Sequence, residues 1–148
     1  INLTGATNAF VTDNQGVATI LDNNTNPIVS ISNPSVIEGG DLIFTVSLSG
    51  TSYDYVTVYY ASYDGTATLA DNDYTQLPLT ALVFDPGETT KTVVMHTTPD
   101  IKVESNETVF LRLSNATNAS LSGYDGVGTI YNNDTSINLR YVRRTWSS

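Results

Sequence analysis

Alternation of apolar and polar residues gives the clearest structural signal along the chain. In the run Asp41–Leu48, every second residue from Leu42 onward is a large apolar one, as in a strand with one buried face. The runs Tyr55–Ala61, Thr92–His96 and Val109–Leu113 are rich in β-branched and aromatic residues, which suit a pleated, half-buried surface. No long stretch has a helical period, so the pattern predicts an all-β protein.

Turn residues separate these predicted strands at regular intervals. Gly or Pro lies in each of the segments Glu38–Asp41, Tyr63–Thr66, Asp85–Glu88 and Ser122–Gly126, where it supplies the backbone angles that turns require. About seven short strands divided in this way predict an antiparallel seven-stranded immunoglobulin-like β-sandwich.

The two ends of the chain contain a repeat. A shift of 110 residues aligns Leu3–Thr25 with Leu113–Thr135 without a gap, and eleven of the 23 positions are identical. A period of this size fits a tandem array of sandwich domains rather than a solenoid. The repeat therefore predicts that residues 1–24 are the C-terminal hairpin of a preceding repeat and that residues 25–134 are a complete domain. Residues 135–148 are then the start of a following element or a tail.

The amino-acid composition argues against several classes of partner and of functional site. Fifteen acidic and six basic residues give a formal charge of −9, which argues against nucleic acid and anionic membrane surfaces as partners. Three of the basic residues lie in the last nine positions, so the remaining body is more acidic still. Cysteine is absent, which excludes disulfides and thiolate metal sites. No apolar run approaches the roughly 20 residues of a membrane-spanning helix.

Three carboxylates lie on the connection between two predicted strands. Asp100, Glu104 and Glu107 follow Pro99 within nine residues, and only Lys102 is nearby to neutralise them. Because anions this close repel one another, a hard divalent cation with oxygen ligands is the natural occupant. The alternative is a solvated acidic loop without an ion.

Five motifs in a fixed order carry a family resemblance. They are Asn33–Gly40, Asp64–Thr68 with Asp71–Tyr74, Phe84–Thr89, Glu104–Glu107, and Gly128–Ile130 with the Asn and Asp residues that follow it. This series resembles a Calx-beta domain over essentially all of residues 28–134, and residues 1–24 resemble the last hairpin of the same domain type. The resemblance implies a Ca²⁺-binding sandwich whose ions cluster at one end.

The resemblance also implies which residues bind the metal. Carried over by motif, the expected ligands are Glu38, Asp73, Asp100, Glu104, Glu107, Asn132, Asn133 and Asp134. The chain departs from strong binders at Pro99, where another aspartate is usual, and at Asn132 and Asn133 in the closing run. Since Ca²⁺ affinity follows ligand charge, we expect one or two ions bound with dissociation constants on the order of 10⁻⁴ to 10⁻³ M.

These features predict a non-enzymatic role. We expect a Ca²⁺-binding module of a tandem-repeat protein, extracellular or at the cell surface, that serves as a Ca²⁺-stiffened spacer or an adhesion unit. The alternatives are a cytosolic calcium-sensing regulatory domain of a transporter and a fibre subunit that pairs through the hairpin at residues 1–24. Expected partners are neighbouring repeats of the same chain, a cell-surface protein or glycan, and further copies of the chain.

Overall fold

The structure contains nine β-strands. It is a computed structural model that describes residues 1–2, 4–13, 15–19 and 26–136. The strands are β1 (Ile28–Ile31), β2 (Ser35–Ile37), β3 (Asp41–Leu48), β4 (Val56–Asp64), β5 (Thr80–Phe84), β6 (Thr90–His96), β7 (Glu107–Thr117), β8 (Ser120–Leu121) and β9 (Asp125–Tyr131). No helix within these residues is long and apolar enough to cross a membrane.

The strands form two sheets that enclose one core. One sheet has the order β6-β3-β1-β8 and the other β2-β9-β7-β4-β5. Large fully buried side chains from both sheets meet between them, among them Leu42 and Phe44 of β3 with Leu111 and Leu113 of β7. The alternation in Asp41–Leu48 is therefore the pattern of a strand with one face against this core, as the sequence predicts.

A glycine on β9 makes the close packing of the two sheets possible. A Cβ atom added at Gly128 would lie 2.6 Å from Cδ1 of Leu42 and 3.1 Å from Cζ of Phe44. Any larger residue would have to displace these core side chains, which cannot move far in a close-packed interior.

The prediction of an all-β sandwich is confirmed, but the predicted count of seven strands is wrong. The first strand is divided between the sheets: β1 pairs with β3, whereas β2 pairs with β9. Pro34 lies at the break, where its missing N–H interrupts the ladder. The side chain of Asn33 accepts a hydrogen bond of 2.7 Å from the Val127 amide, which holds the crossing chain against β9.

The sheets are also not purely antiparallel. β2 runs parallel to β9, and the two-residue strand β8 runs parallel to β1. A strand as short as β8 is too brief to produce an alternating pattern. The more specific immunoglobulin-like assignment stays a prediction.

The predicted flanking parts are described only in part. Residues 3, 14 and 20–24 of the predicted preceding hairpin lie outside the described residues. So do residues 137–148 of the predicted following element. Asn2 and Gln15 form an isolated antiparallel bridge within the N-terminal segment.

Candidate metal centre

The predicted ligands meet at one end of the sandwich. Because β2 and β9 are parallel and β7 is antiparallel to β9, the ends of β2 and β9 lie beside the start of β7. The end of β4 is antiparallel to β7 and reaches the same edge. Four chain segments therefore converge there: the turn after β2, the β4–β5 connection, the β6–β7 connection and the segment after β9.

Six carboxylates at this end form two groups of three. Glu38, Asp100 and Asp134 make up the first triad, which places one carboxylate oxygen of each residue within 4.8 Å of the others. Asp73, Glu104 and Glu107 form the second triad with the same spacing. Glu38 also lines a cleft with all three members of the second triad. The two triads are thus neighbours around one opening.

Backbone contacts position the first triad. Oε1 of Glu38 accepts a hydrogen bond of 2.8 Å from the Asp100 amide. This bond holds the β6–β7 connection against the turn after β2. Gly39 in that turn has a φ of +82°, and a Cβ there would lie 2.9 Å from Cβ of Pro99. Pro99, which the sequence marks as a departure from strong binders, therefore packs directly against the turn that carries Glu38.

The two asparagines in the segment after β9, Asn132 and Asn133, form hydrogen bonds to neighbouring backbone carbonyls. Nδ2 of Asn132 donates to the carbonyl oxygens of Glu104 at 2.9 Å and Lys102 at 3.3 Å. Nδ2 of Asn133 donates to the Glu38 carbonyl at 3.2 Å. These bonds tie the segment after β9 to the β6–β7 connection and to the turn after β2. A carboxylate could not donate them. Asn132 also lines the cleft with the second triad, and the assignment of Asn132 and Asn133 as metal ligands stays a prediction.

The first triad contains a buried oxygen without a partner. Oδ2 of Asp134 is inaccessible to solvent and has no hydrogen-bond partner, while the Asp134 amide donates to Oδ1 of Asn132 at 2.5 Å. An unpartnered buried carboxylate oxygen is costly. A cation between Glu38, Asp100 and Asp134 would remove that cost.

The second triad is electrostatically strained. Burial, together with the charges of Asp73 and Glu104, raises the pKa of Glu107 to about 7. Lys102 offsets part of this repulsion through its ion pair with Glu104. Asp73 is held by a 2.7 Å hydrogen bond from the Thr68 amide to its Oδ2. The group is therefore built from acids that repel one another and that one lysine only partly neutralises.

The donor set suits a hard divalent cation. The side chains available in the two triads are all carboxylates, and Ca²⁺ prefers six to eight oxygen ligands from carboxylates, carbonyls and water. Asp73, Glu104 and Glu107 would hold one ion and Glu38, Asp100 and Asp134 a second.

Comparison with known proteins identifies the family. The family model described as "Calx-beta domain" matches residues 22–135. The chain belongs to the Calx-beta family. The comparison with curated proteins gives no match.

Solved structures share the fold of this Calx-beta domain. The apo-form Calx CBD1 domain is 23% identical, with a TM-score of 0.67 over 74% of this chain and 100% of that chain. The "calcium binding domain CBD12 of CALX1.1" is 24% identical, with a TM-score of 0.64 over 71% of this chain and 46% of that chain. The Calx CBD2 domain is 13% identical, with a TM-score of 0.59, over 70% of this chain and 85% of that chain.

Some residues of this end of the Calx-beta domain escaped the sequence prediction. Thr98 and Ser105 line the same cleft as Glu38 and Glu107, but an isolated hydroxyl residue in a loop carries no sequence signal for metal binding. The backbone amide of Asp71 donates a hydrogen bond of 3.1 Å to Oγ1 of Thr68. Asp71 lies outside both triads and serves its turn.

The single histidine lies on the surface of β6 beside an aspartate. His96 is exposed on β6, and its Nδ1 lies 2.5 Å from Oδ1 of Asp41. Within the described residues, no serine or threonine hydroxyl is hydrogen-bonded to this ring.

Proposed function

We propose that this Calx-beta domain binds Ca²⁺ at the two triads and serves as a Ca²⁺-stiffened unit of an extracellular or cell-surface tandem-repeat protein. The observation that carries the proposal is the buried, unpartnered Oδ2 of Asp134 within a triad of acids. A solvated acidic loop without an ion would leave its carboxylates accessible to water. The proposed role is structural, because an ion enclosed by several segments stabilises their arrangement.

The position of the closing segment supports the stiffening role. Asp134 belongs to a triad whose other members come from the turn after β2 and from the β6–β7 connection. An ion in this triad would fasten the segment that leaves β9 to the body of the domain. In a tandem array the next repeat would follow directly, so the ion would reduce bending at the junction.

A calcium-sensing regulatory domain of a transporter is the second candidate. Its support is the similarity to CBD12 of CALX1.1, which is described as a calcium binding domain. Affinity separates the candidates, because sensors bind Ca²⁺ at about 10⁻⁷ to 10⁻⁵ M and extracellular modules at about 10⁻⁴ to 10⁻³ M. Adhesion to a cell-surface protein or glycan would add a further surface to the stiffened unit.

Calorimetry with and without Ca²⁺ tests the proposal. An ion bound only by the folded state should raise the free energy of unfolding by about 2.7 kcal/mol at a hundredfold excess over its dissociation constant. Glu104→Gln should remove most of the gain contributed by the second triad.

The matched control is Asp54→Asn, which changes the same charge on an exposed residue outside both triads. This variant should keep the full response to Ca²⁺. An unfolding midpoint that millimolar Ca²⁺ does not move in the wild-type chain would refute the proposed function.

A further inference from the structure

The described residues at the start of the chain, 1–2, 4–13 and 15–19, repeat the pairing of β7 with β9. Asn2 forms an antiparallel bridge with Gln15. At a distance of 110 residues, Arg112 of β7 is the register partner of Asp125 of β9. The sequence repeat is therefore reproduced as the same pairing of the same two positions.

The neighbouring pair matches as well. Ile1 and Gly16 exchange two hydrogen bonds of 2.9 Å, one from the N-terminal amine to the Gly16 carbonyl and one from the Gly16 amide back to Ile1. Their counterparts Leu111 and Gly126 are register partners in the β7–β9 ladder.

Backbone conformation agrees at the turn. Gly5 and Asn8 have φ values of +75° and +56°, and their counterparts Asn115 and Asn118 have +48° and +58°. A positive φ is uncommon outside glycine, so two matches at the same spacing indicate the same local structure. Three of the four non-glycine residues with positive φ in the described part of the chain belong to this match.

The solvent exposure of this segment does not match. Leu111 is 0% exposed in the core of the domain, whereas its counterpart Ile1 is 91% exposed. Val17 is 84% exposed, whereas its counterpart Val127 is half-buried. The segment thus has the pairing of β7 and β9 but lacks the strands against which β7 and β9 pack.

We propose that residues 1–19 are a docking surface for the strands of a preceding Calx-beta repeat that correspond to β1–β6. In the domain, β7 lies between β9 and β4, and Leu111 contributes to the core shared with β3 and β4. The equivalent strands would cover Ile1 in the same way. A second copy of the chain is a poorer occupant, because its own β7 and β9 already fill this position.

An extended chain tests this inference directly. The extended chain consists of residues 25–110 followed by the whole of residues 1–148. The added Phe110 then directly precedes Ile1, as Phe110 precedes Leu111 in β7. Ala18 is the counterpart of Gly128, where a Cβ would lie 2.6 Å from Leu42. One version of the extended chain carries Ala18→Gly, which removes the clashing Cβ. A second version keeps Ala18 and carries Leu42→Ala in the added segment, which makes room for that Cβ.

The expected result is a second folded domain. The calorimetric unfolding enthalpy should be roughly twice that of residues 1–148, since this enthalpy scales with the number of folded residues. The Gly16 amide should become strongly protected from hydrogen exchange. Ile1→Asp is the control, because a buried unpaired charge in the added domain should abolish both effects while the domain at residues 26–136 still unfolds normally.

Failure of the added residues to fold would refute the inference. If the added residues stay unfolded in both versions, with unchanged unfolding enthalpy and an unprotected Gly16 amide, the inference is wrong. Measurements in chelator and in Ca²⁺ separate this outcome from failure of the calcium proposal, because the pairing argument requires no ion.

Discussion

At the scale of single residues, Lys102 is an internal counter-ion of the proposed calcium site. It forms an ion pair with Glu104, and Glu104, with smaller contributions from Asp71 and Asp73, raises its pKa above the usual value. Its charge therefore stabilises the second triad when no Ca²⁺ is bound. The same charge opposes the arrival of a cation.

Replacement of this lysine should separate the two effects. We expect Lys102→Met to lower the unfolding midpoint in chelator and to raise Ca²⁺ affinity a few-fold, as measured by calorimetric titration. Lys91→Met is the matched control, because Lys91 pairs with Glu88 at 2.9 Å outside both triads. If the two variants change Ca²⁺ affinity equally, Lys102 acts only through the net charge of the domain and has no specific effect on the second triad.

Glu107 should make the ion-free domain less stable as pH rises. Its pKa is about 7 in the folded domain, above its ordinary value of 4.5. A raised folded-state pKa contributes stability that is fully present below pH 4.5 and is lost as pH rises through about 7. We expect the unfolding midpoint in chelator to fall over this window, and Glu107→Gln to remove that part of the decline.

Calcium should reverse the direction of this pH dependence. Because Ca²⁺ binds the ionised carboxylate, protons compete with it, and Ca²⁺ affinity should fall as pH drops below about 7. The comparison of wild type with Glu107→Gln in chelator isolates the contribution of this one side chain. A parallel decline in the two proteins would contradict its assignment.

At the scale of elements, the sequence specifies the long strands better than the short ones. Asp41–Leu48 has the predicted bounds because its alternating pattern fixes both its type and its buried face. The division of the first strand into β1 and β2 depends on which sheet each half pairs with, and this is decided by distant partners on β3 and β9. Long-range pairing of this kind leaves no local pattern.

The candidate site shows a similar division. The carboxylates could be predicted because their residue types and motif positions are visible in the sequence, and the structure brings six of them together. The roles of Asn132 and Asn133 could not be predicted, because their hydrogen bonds reach carbonyl groups about thirty and ninety-five residues away. Where an amide side chain points is decided by those contacts rather than by its neighbours in sequence.

At the scale of the whole molecule, the two triads have different mechanical roles. The second triad joins the β4–β5 connection to the β6–β7 connection and the first residue of β7, all within the body of the domain. The first triad includes Asp134 from the segment after β9. An ion in the first triad would therefore bind the departing chain directly, whereas an ion in the second triad would reach it only through the bond from Asn132 to Glu104. Binding and stiffening are thus separable functions of one end of the sandwich.

Hydrogen exchange can measure the two functions separately. We expect Ca²⁺ to slow exchange at the amides of residues 132–136, because the ion would hold Asp134 against Glu38 and Asp100. Asp134→Asn should abolish this local protection while calorimetry still detects an ion at the second triad. Glu107→Gln is the reciprocal variant, which should weaken that ion and keep the protection after β9. Unchanged exchange in residues 132–136 of the wild-type chain, despite calorimetric binding, would contradict stiffening and favour the calcium-sensing role, since the bound ions would then leave the departing segment as mobile as before.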